Sequence, residues 1–386
     1  MKILYSHRTK SADGQYVHIR ALTDALRARG HELIMAGPDD RGSAATRKLE
    51  NGGGVGAKSW LPRPVYEIAE LGYSVPAYLR LARAFAAGRP EILYERYNLF
   101  YHSGVRLALA HRLPFLLEVN APLAEERARH GGLALKGLAR RSESSIWRAA
   151  DKVLPVTRVL ARMIEQAGVR PENIVIIPNG VEEAFLSAVD PRPVRARYGL
   201  SEKLVLGFTG FVRDWHGVDR VIRFLAGARR PDLHLLVVGD GDVRPALEAE
   251  AAALGVASQL TITGIVQRED MAQHVAAFDI ALQPAVVPYA SPLKLIEYMA
   301  LGKAIIAPAR DNIQELLTDG VDALLFPPDD EDALRHRLGA LVGDGALRDK
   351  LGAAARASLL RQNLTWAGNA KKVERLALDL LEKRKK

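Results

Sequence analysis

Hydrophobic and polar positions along this chain follow two periods, and the two periods take turns. Short apolar runs at 2–6 (KILYS), 32–36 (ELIMA), 91–95 (EILYE), 114–119 (PFLLEV), 152–156 (KVLPV) and 173–177 (NIVII) read as strands. Between most of them apolar residues recur at helical spacing, near 16–29, 74–87, 99–111, 124–149 and 158–167. Parallel neighbours need a helical crossover, so this alternation predicts a doubly wound parallel sheet.

A second alternation begins after the polar, proline-containing stretch VEEAFLSAVDPRPVRARYGLSEK. Strands are expected at 204–209, 233–238, 259–263, 279–283, 304–307 and 322–326, with helices near 217–227, 243–254, 269–277, 292–302 and 312–318. The expected fold is α/β, with two Rossmann-like doubly wound domains, 1–185 and 186–365, and a boundary near 185–200. A last helical stretch, 366–386, is expected to pack back on the first domain. Open α/β sheets bind ligands beyond the carboxyl ends of their strands, so the expected site lies in a cleft between facing domains.

Composition narrows the class. At 386 residues, 48% hydrophobic and 26% charged, the chain suits two ordinary globular domains. It has no cysteine, which excludes disulfides and thiolate zinc sites and fits a reducing compartment. MKILYSHRTK turns polar too early for a signal peptide, and no apolar run approaches the roughly 20 residues of a membrane span. The expected location is cytoplasmic, at most peripheral on the inner face of the plasma membrane. The net charge of +9 is uneven: residues 1–180 hold 27 Lys and Arg against 17 Asp and Glu, the remainder 27 against 28. Such an excess suits nucleic acid, an anionic membrane or an anionic substrate. Basic residues are not interleaved with aromatics as in base-stacking surfaces, so nucleic acid is not expected.

Several stretches look like chemistry and have plainer readings. NGGGVGAKS, 51–59, puts Ala57 between glycine and lysine and is followed by WLPRP rather than a helix, so it reads as a turn and not a phosphate loop. Asp240 and Asp242 could hold a magnesium ion, but their place after a strand favours turn and N-cap duty. Neither G-x-S-x-G nor H-E-x-x-H occurs, so serine-hydrolase and metalloprotease readings lack support. The basic stretch RARHGGLALKGLARRSESSIWRAA, 127–150, reads either as a solvated helix face or as an interfacial helix on anionic lipid.

Other stretches point to an anion. In SPLKLIEYMALGKAII, 291–306, a helix starting near Pro292 would put Lys294 and Glu297 side by side near its N-terminus. A cation there opposes the helix dipole unless an anion binds. TGFVRDWHGVD, 209–219, brackets Arg213 and His216 with Gly210 and Gly217 at a strand-to-helix turn, an arrangement suited to phosphate. IPNGV, 177–181, reads equally as an Asn-Gly turn or as part of a site.

In order and spacing, IPNGV, VVGDGD, LTITGIV, AFDIALQP, SPLKLIEYMALGKAII and NIQELLTDGVDALLFPPDD resemble the donor domain of retaining GT-B glycosyltransferases of family 4. DGQYVHIRALTDALRARGHEL resembles that family's first glycine turn and helix, so the likeness covers nearly the whole chain. It implies that Gly264, Ile265 and Val266 hold the base of a nucleotide-sugar and that Glu297 holds the ribose. Gly210, Ser291, Pro292, Leu293 and Leu295 would line the rest of the donor site, with the backbone N–H groups of Leu293 and Lys294 facing the diphosphate.

The resemblance breaks at three positions. The first glutamate of the family's E-x7-E motif is Tyr289, and the Arg and Lys after its first donor-domain strand fall on Phe211 and His216. Lys294 stands where many members have proline and is expected, with Arg213, to supply the missing cations as catalytic groups. On the acceptor side, Glu118 and Asn120 fall where relatives carry a residue touching the donor sugar, and Asp13, Gly14 and His18 would approach from the first domain. The activity implied is retaining, metal-independent transfer of a sugar, from a UDP-sugar in preference to a GDP-sugar, to a glycan, lipid-linked saccharide or metabolite. Two other readings share the architecture: a non-catalytic nucleotide-sugar-binding partner subunit, and a nucleotide-sugar epimerase or hydrolase.

Overall fold

The computed structural model describes residues 1–9, 14–37, 62–129 and 132–385. Asp13 and the 51–59 stretch lie outside the described residues. The chain forms two compact units, Met1–Pro178 with Asn369–Lys386, and Asn179–Gly368. The division therefore falls inside IPNGV, ahead of the polar segment at 185–200. Most of the last helix, Trp366–Lys385, lies in the first unit.

The first unit holds five parallel strands: β1 Lys2–Ser6, β2 Glu32–Ala36, β3 Ile92–Arg96, β4 Phe115–Val119 and β5 Lys152–Pro155, in the order β2-β1-β3-β4-β5. The 173–177 run is not a sixth strand. It bridges β5 at Val153 and Ile174, and its Val175 and Ile177 N–H groups donate to Val153 O and Pro155 O. Pro155 has no N–H to return, so no continuous ladder forms. The helix expected at 99–111 starts only at Ser103, after Phe100 adopts φ 62. The one expected at 124–149 is two, Leu123–Arg129 and Lys136–Ala149. Periodicity missed the helix Arg63–Gly72, which follows Pro62 and has proline in its first turn.

The second unit holds six parallel strands: β6 Leu204–Thr209, β7 Leu233–Val238, β8 Leu260–Ile262, β9 Ile280–Leu282, β10 Ala304–Pro308 and β11 Leu324–Phe326, in the order β11-β10-β9-β6-β7-β8. Side chains alternate faces along each strand, so this sheet splits its core in two. Leu236 and Val238 of β7 and Ile305 and Ala307 of β10 face the helix Leu293–Ala300. Leu235, Val237 and Ile306 lie in the other cluster, with the helices Val218–Ala228, Arg244–Ala253 and Glu331–Gly343. With both faces covered, the strands read as unbroken apolar runs.

Among the described residues no helix is long and apolar enough to cross a membrane. In the basic segment expected to be solvated or interfacial, Ile146 and Trp147 are buried and only Leu138 among the larger apolar residues of Lys136–Ala149 is exposed. That helix therefore has no continuous apolar face for lipid.

Candidate active site

In the second unit the site starts where β6 ends. The Thr209 N–H donates to the Tyr298 hydroxyl at 3.0 Å, which ties the strand end to the helix Leu293–Ala300. Gly210 then takes φ 119, and the following loop lies flat on the turn after β7. Its Gly210 and Val212 N–H groups donate to Val238 O at 3.0 Å and Asp240 O at 2.7 Å. A Cβ at Gly239 would stand 2.2 Å from Gly210 O, and one at Gly241 1.9 Å from Val212 O. The G-D-G turn is thus the packing surface that shapes the loop. Asp240 turns back on the Gly241 N–H at 2.9 Å, while the helix Arg244–Ala253 starts after Val243 with no side-chain cap, so the expected N-cap role is not observed. Among the described residues no three His, Cys, Asp or Glu side chains are grouped to hold a metal.

The loop carries His216 inward. Its Nδ1 accepts from the Arg213 N–H at 2.9 Å, and its ring lies 5.2 Å from Phe208 and 3.9 Å from Trp215. Burial, with Lys294 and Arg213 adding to it, pushes its pKa down to about 3. The imidazole is therefore neutral at physiological pH, with its hydrogen on Nε2. Phe211 and Arg213 lie outside, the guanidinium 5.4 Å from the Phe211 ring.

Lys294 is the cation that reaches the same spot from the helix. Its Nζ sits 3.7 Å from the centroid of the Phe208 ring, and a Cβ on Gly210 would lie 3.5 Å from it. Burial pushes its pKa down to about 7, with Glu297 pulling the other way. It makes no ion pair among the described residues. Glu297, its expected neighbour, is paired instead with Arg268 at 2.7 Å, whose Nε reaches Glu182 at 2.8 Å and whose guanidinium lies 5.0 Å from the Phe185 ring. Spacing of three on a helix makes contact available, and a better partner on another element takes it.

The helix begins after Pro292 with no side-chain cap and no acidic residue in its first turn. The loop before it is strapped from two sides. Asn179, from IPNGV, donates its backbone N–H to Ser291 Oγ at 3.1 Å and its amide to Ser291 O at 2.6 Å. Asn312 donates to Val287 O at 3.1 Å and Ala290 O at 2.7 Å. Both asparagines are buried, as is Tyr289 between these straps. Leu295, expected among the donor contacts, is fully buried in the core, so its side chain faces no ligand. Gly264 takes φ 74 at the turn after β8, Val266 packs on the core, and Ile265 is 83% exposed.

In the first unit, the strand ends build a buried polar hub around Glu118. Tyr94 donates to Oε2 at 2.7 Å and His18 Nε2 lies 3.0 Å from the same oxygen, while Arg96 and Asn120 donate to Oε1. Burial alone would raise the Glu118 carboxyl, but His18 and Arg96 outweigh it and hold it well below the usual carboxylate range. Glu118, placed with Asn120 among the expected catalytic groups, is therefore a buried anion that holds His18 and Asn120 in place. Gly14 opens the helix Gly14–Ala28 that carries His18. Sequence reading missed Tyr94 and Arg96; the signal was a charged residue closing the apolar run EILYER. Beside them Glu95, which accepts from Ser6 Oγ at 2.8 Å, is pushed up to about 8 by burial.

Residues 13–180 match the family described as glycosyl transferase 4-like domain, and residues 203–344 the family described as glycosyl transferases group 1. The two matches fall one on each unit and together take in most of the chain. The chain is a GT-B glycosyltransferase, and its fold agrees: it superposes on Anabaena HepE in complex with UDP at TM-score 0.78, with 18% identity, over 98% of this chain and 100% of that one. Among curated relatives it is 26% identical over 308 residues to the GDP-mannose-dependent alpha-(1-6)-phosphatidylinositol monomannoside mannosyltransferase of Mycolicibacterium smegmatis, covering 75% of this chain and 81% of the relative. It is 28% identical over 292 residues to the D-inositol 3-phosphate glycosyltransferase of Nocardiopsis dassonvillei, covering 68% and 66%.

Proposed function

We propose that this glycosyltransferase moves a sugar, with retention and without a metal, from a nucleotide-sugar to a hydroxyl of a glycan, lipid-linked saccharide or metabolite. The observation that carries the reading is Lys294: a half-buried ammonium with no carboxylate partner among the described residues, beside an uncapped helix N-terminus and the loop after β6. A diphosphate fits that charge. The backbone N–H groups of Leu293 and Lys294 would meet it with the helix dipole, and Arg213 can swing in from the loop. Glu297, held by Arg268, presents its carboxylate to the ribose, while the 264–266 turn takes the base by its backbone. UDP is the expected nucleotide, as in the HepE complex; GDP is the second choice, because the mycobacterial relative is named GDP-mannose-dependent.

The reaction follows from where charge develops. The acceptor hydroxyl oxygen bonds to the anomeric carbon as the bond from that carbon to the diphosphate breaks, on the same face, and the hydroxyl proton passes to a departing phosphate oxygen. Negative charge gathers on the diphosphate, where the Lys294 ammonium and the helix N–H groups lower the barrier. In the same reading the protein works in the cytoplasm, reaching any lipid-linked acceptor from the membrane surface.

Calorimetric titration of UDP, GDP, ADP and dTDP without added metal tests this. One of them is expected to bind, with affinity falling about tenfold or more in Lys294→Ala, the effect of losing a charge-assisted contact. Unchanged affinity in the variant would remove Lys294 from the site.

A further inference from the structure

A second cationic cluster lies in the first unit, outside the Glu118 hub. Arg8 follows β1, Glu70 sits on Arg63–Gly72 after β2, and Arg127 sits on Leu123–Arg129 after β4. These residues thus come from beyond the carboxyl ends of different strands, the edge where open α/β sheets bind ligands. Glu70 spans two guanidiniums, with Oε1 3.5 Å from Arg8 Nη1 and Oε2 2.9 Å from Arg127 Nη1. Tyr73 joins a third: Arg8 lies 4.7 Å from its ring, and Arg80 Nη2 donates to its hydroxyl at 3.0 Å.

Among the described residues the charges in this cluster do not balance. Glu70 is the only carboxylate paired with these arginines among the described residues. Glu67 nearby is occupied by the Ala134 and Leu135 N–H groups, and Glu118 by its own hub. Three guanidiniums against one carboxylate leave two positive charges in partly buried positions, an arrangement that costs stability unless an anion neutralises it. Arginine forks suit the paired oxygens of a phosphate, which near neutral pH carries one negative charge as a lipid diester and close to two as a soluble monoester.

We propose that the acceptor carries a phosphate, held by Arg8 and Arg127 in the place where the Glu70 carboxylate now stands in for it. This rests on the transferase reading, because it takes the first unit to be the acceptor's. The phosphate belongs either to a soluble ester or to a lipid headgroup. The lipid source has a surface to match: the same helix and its neighbour Ser74–Gly88 expose Val65, Ile68, Val75 and Leu79.

The test is calorimetry of glycerol 3-phosphate, with glycerol as control, on wild type, Arg8→Gln, Arg127→Gln and Glu70→Gln. Vesicles of phosphatidylcholine with and without phosphatidylinositol are compared in parallel. Glycerol 3-phosphate is expected to bind, about tenfold or more weakly in each arginine variant. Glu70→Gln removes the competing carboxylate and is expected to bind more tightly, which a purely structural ion pair would not produce. Vesicle binding that needs phosphatidylinositol and both arginines, without binding of the soluble ester, supports the site and assigns the phosphate to a lipid. Absence of both bindings, or binding indifferent to all three substitutions, overturns it. Should an arginine variant fail to fold, the direction of the Glu70→Gln change decides. UDP and GDP titrated into the same samples separate the readings: nucleotide bound without phosphate binding sinks only this site, and no nucleotide bound strikes the donor site.

Discussion

Replacing Lys294 with methionine should make the protein more stable and a worse nucleotide binder at once. Burial pushes the ammonium pKa from an ordinary 10.5 to about 7. That gap corresponds to roughly 5 kcal/mol, an upper bound because the side chain is only half-buried and solvent screens it. Between pH 7 and 10.5 the unfolded chain holds a proton that the folded chain has lost, so stability rises with pH across that window. The cost is fully present below pH 7 and gone above 10.5. Methionine keeps the length of the chain over Phe208 and removes the charge. Thermal and urea unfolding at pH 7 should therefore show Lys294→Met more stable by about 1–3 kcal/mol, a plausible share of that bound, with the gap closing toward pH 10. Nucleoside diphosphate affinity should fall about tenfold to a hundredfold, the value of a lost charge-assisted contact. Wild type at pH 8 should also take up protons as nucleotide binds, measured as heat differing between buffers of unlike ionisation enthalpy, and the variant should not. A variant less stable than wild type at pH 7, with nucleotide affinity intact, would refute the argument.

Other substitutions probe the remaining parts. Glu118→Gln should lose about 1–3 kcal/mol by leaving charged donors short of an anion, and wild type should lose this advantage as pH falls below 4.5 toward the depressed folded value, read by urea unfolding from pH 7 to 3. Arg268→Met strands Glu297 and Glu182 and should cost about 3–5 kcal/mol, with part recovered on adding Glu297→Gln; an additive double variant would argue against the ion pair. Gly241→Ala drives a Cβ into Val212 O and should cost about 1–3 kcal/mol while weakening nucleotide binding, because the loop it displaces carries Arg213 and His216.

Much of this was legible in the sequence, because period and order are local. Apolar runs at 2–6, 204–209 and 233–238 became β1, β6 and β7 with unchanged boundaries, since strands buried on both faces leave no ambiguity of period. Helical spacing found 366–385, and the order of motifs identified the class of enzyme. What sequence could not supply was which side chains meet. Spacing offered Lys294 to Glu297, but Arg268 takes the carboxylate, and the ammonium turns to Phe208 and Gly210. The Glu118 hub draws Tyr94, Arg96, His18 and Asn120 from different elements, so no window of sequence contains it. The same holds for Arg8, Glu70 and Arg127, which lie far apart in the chain and converge only because the parallel strands β1, β2 and β4 end on one edge. Secondary structure follows from the neighbours a residue has along the chain, but charge balance and proton affinity follow from neighbours in space, and those exist only once the sheet has ordered its strands.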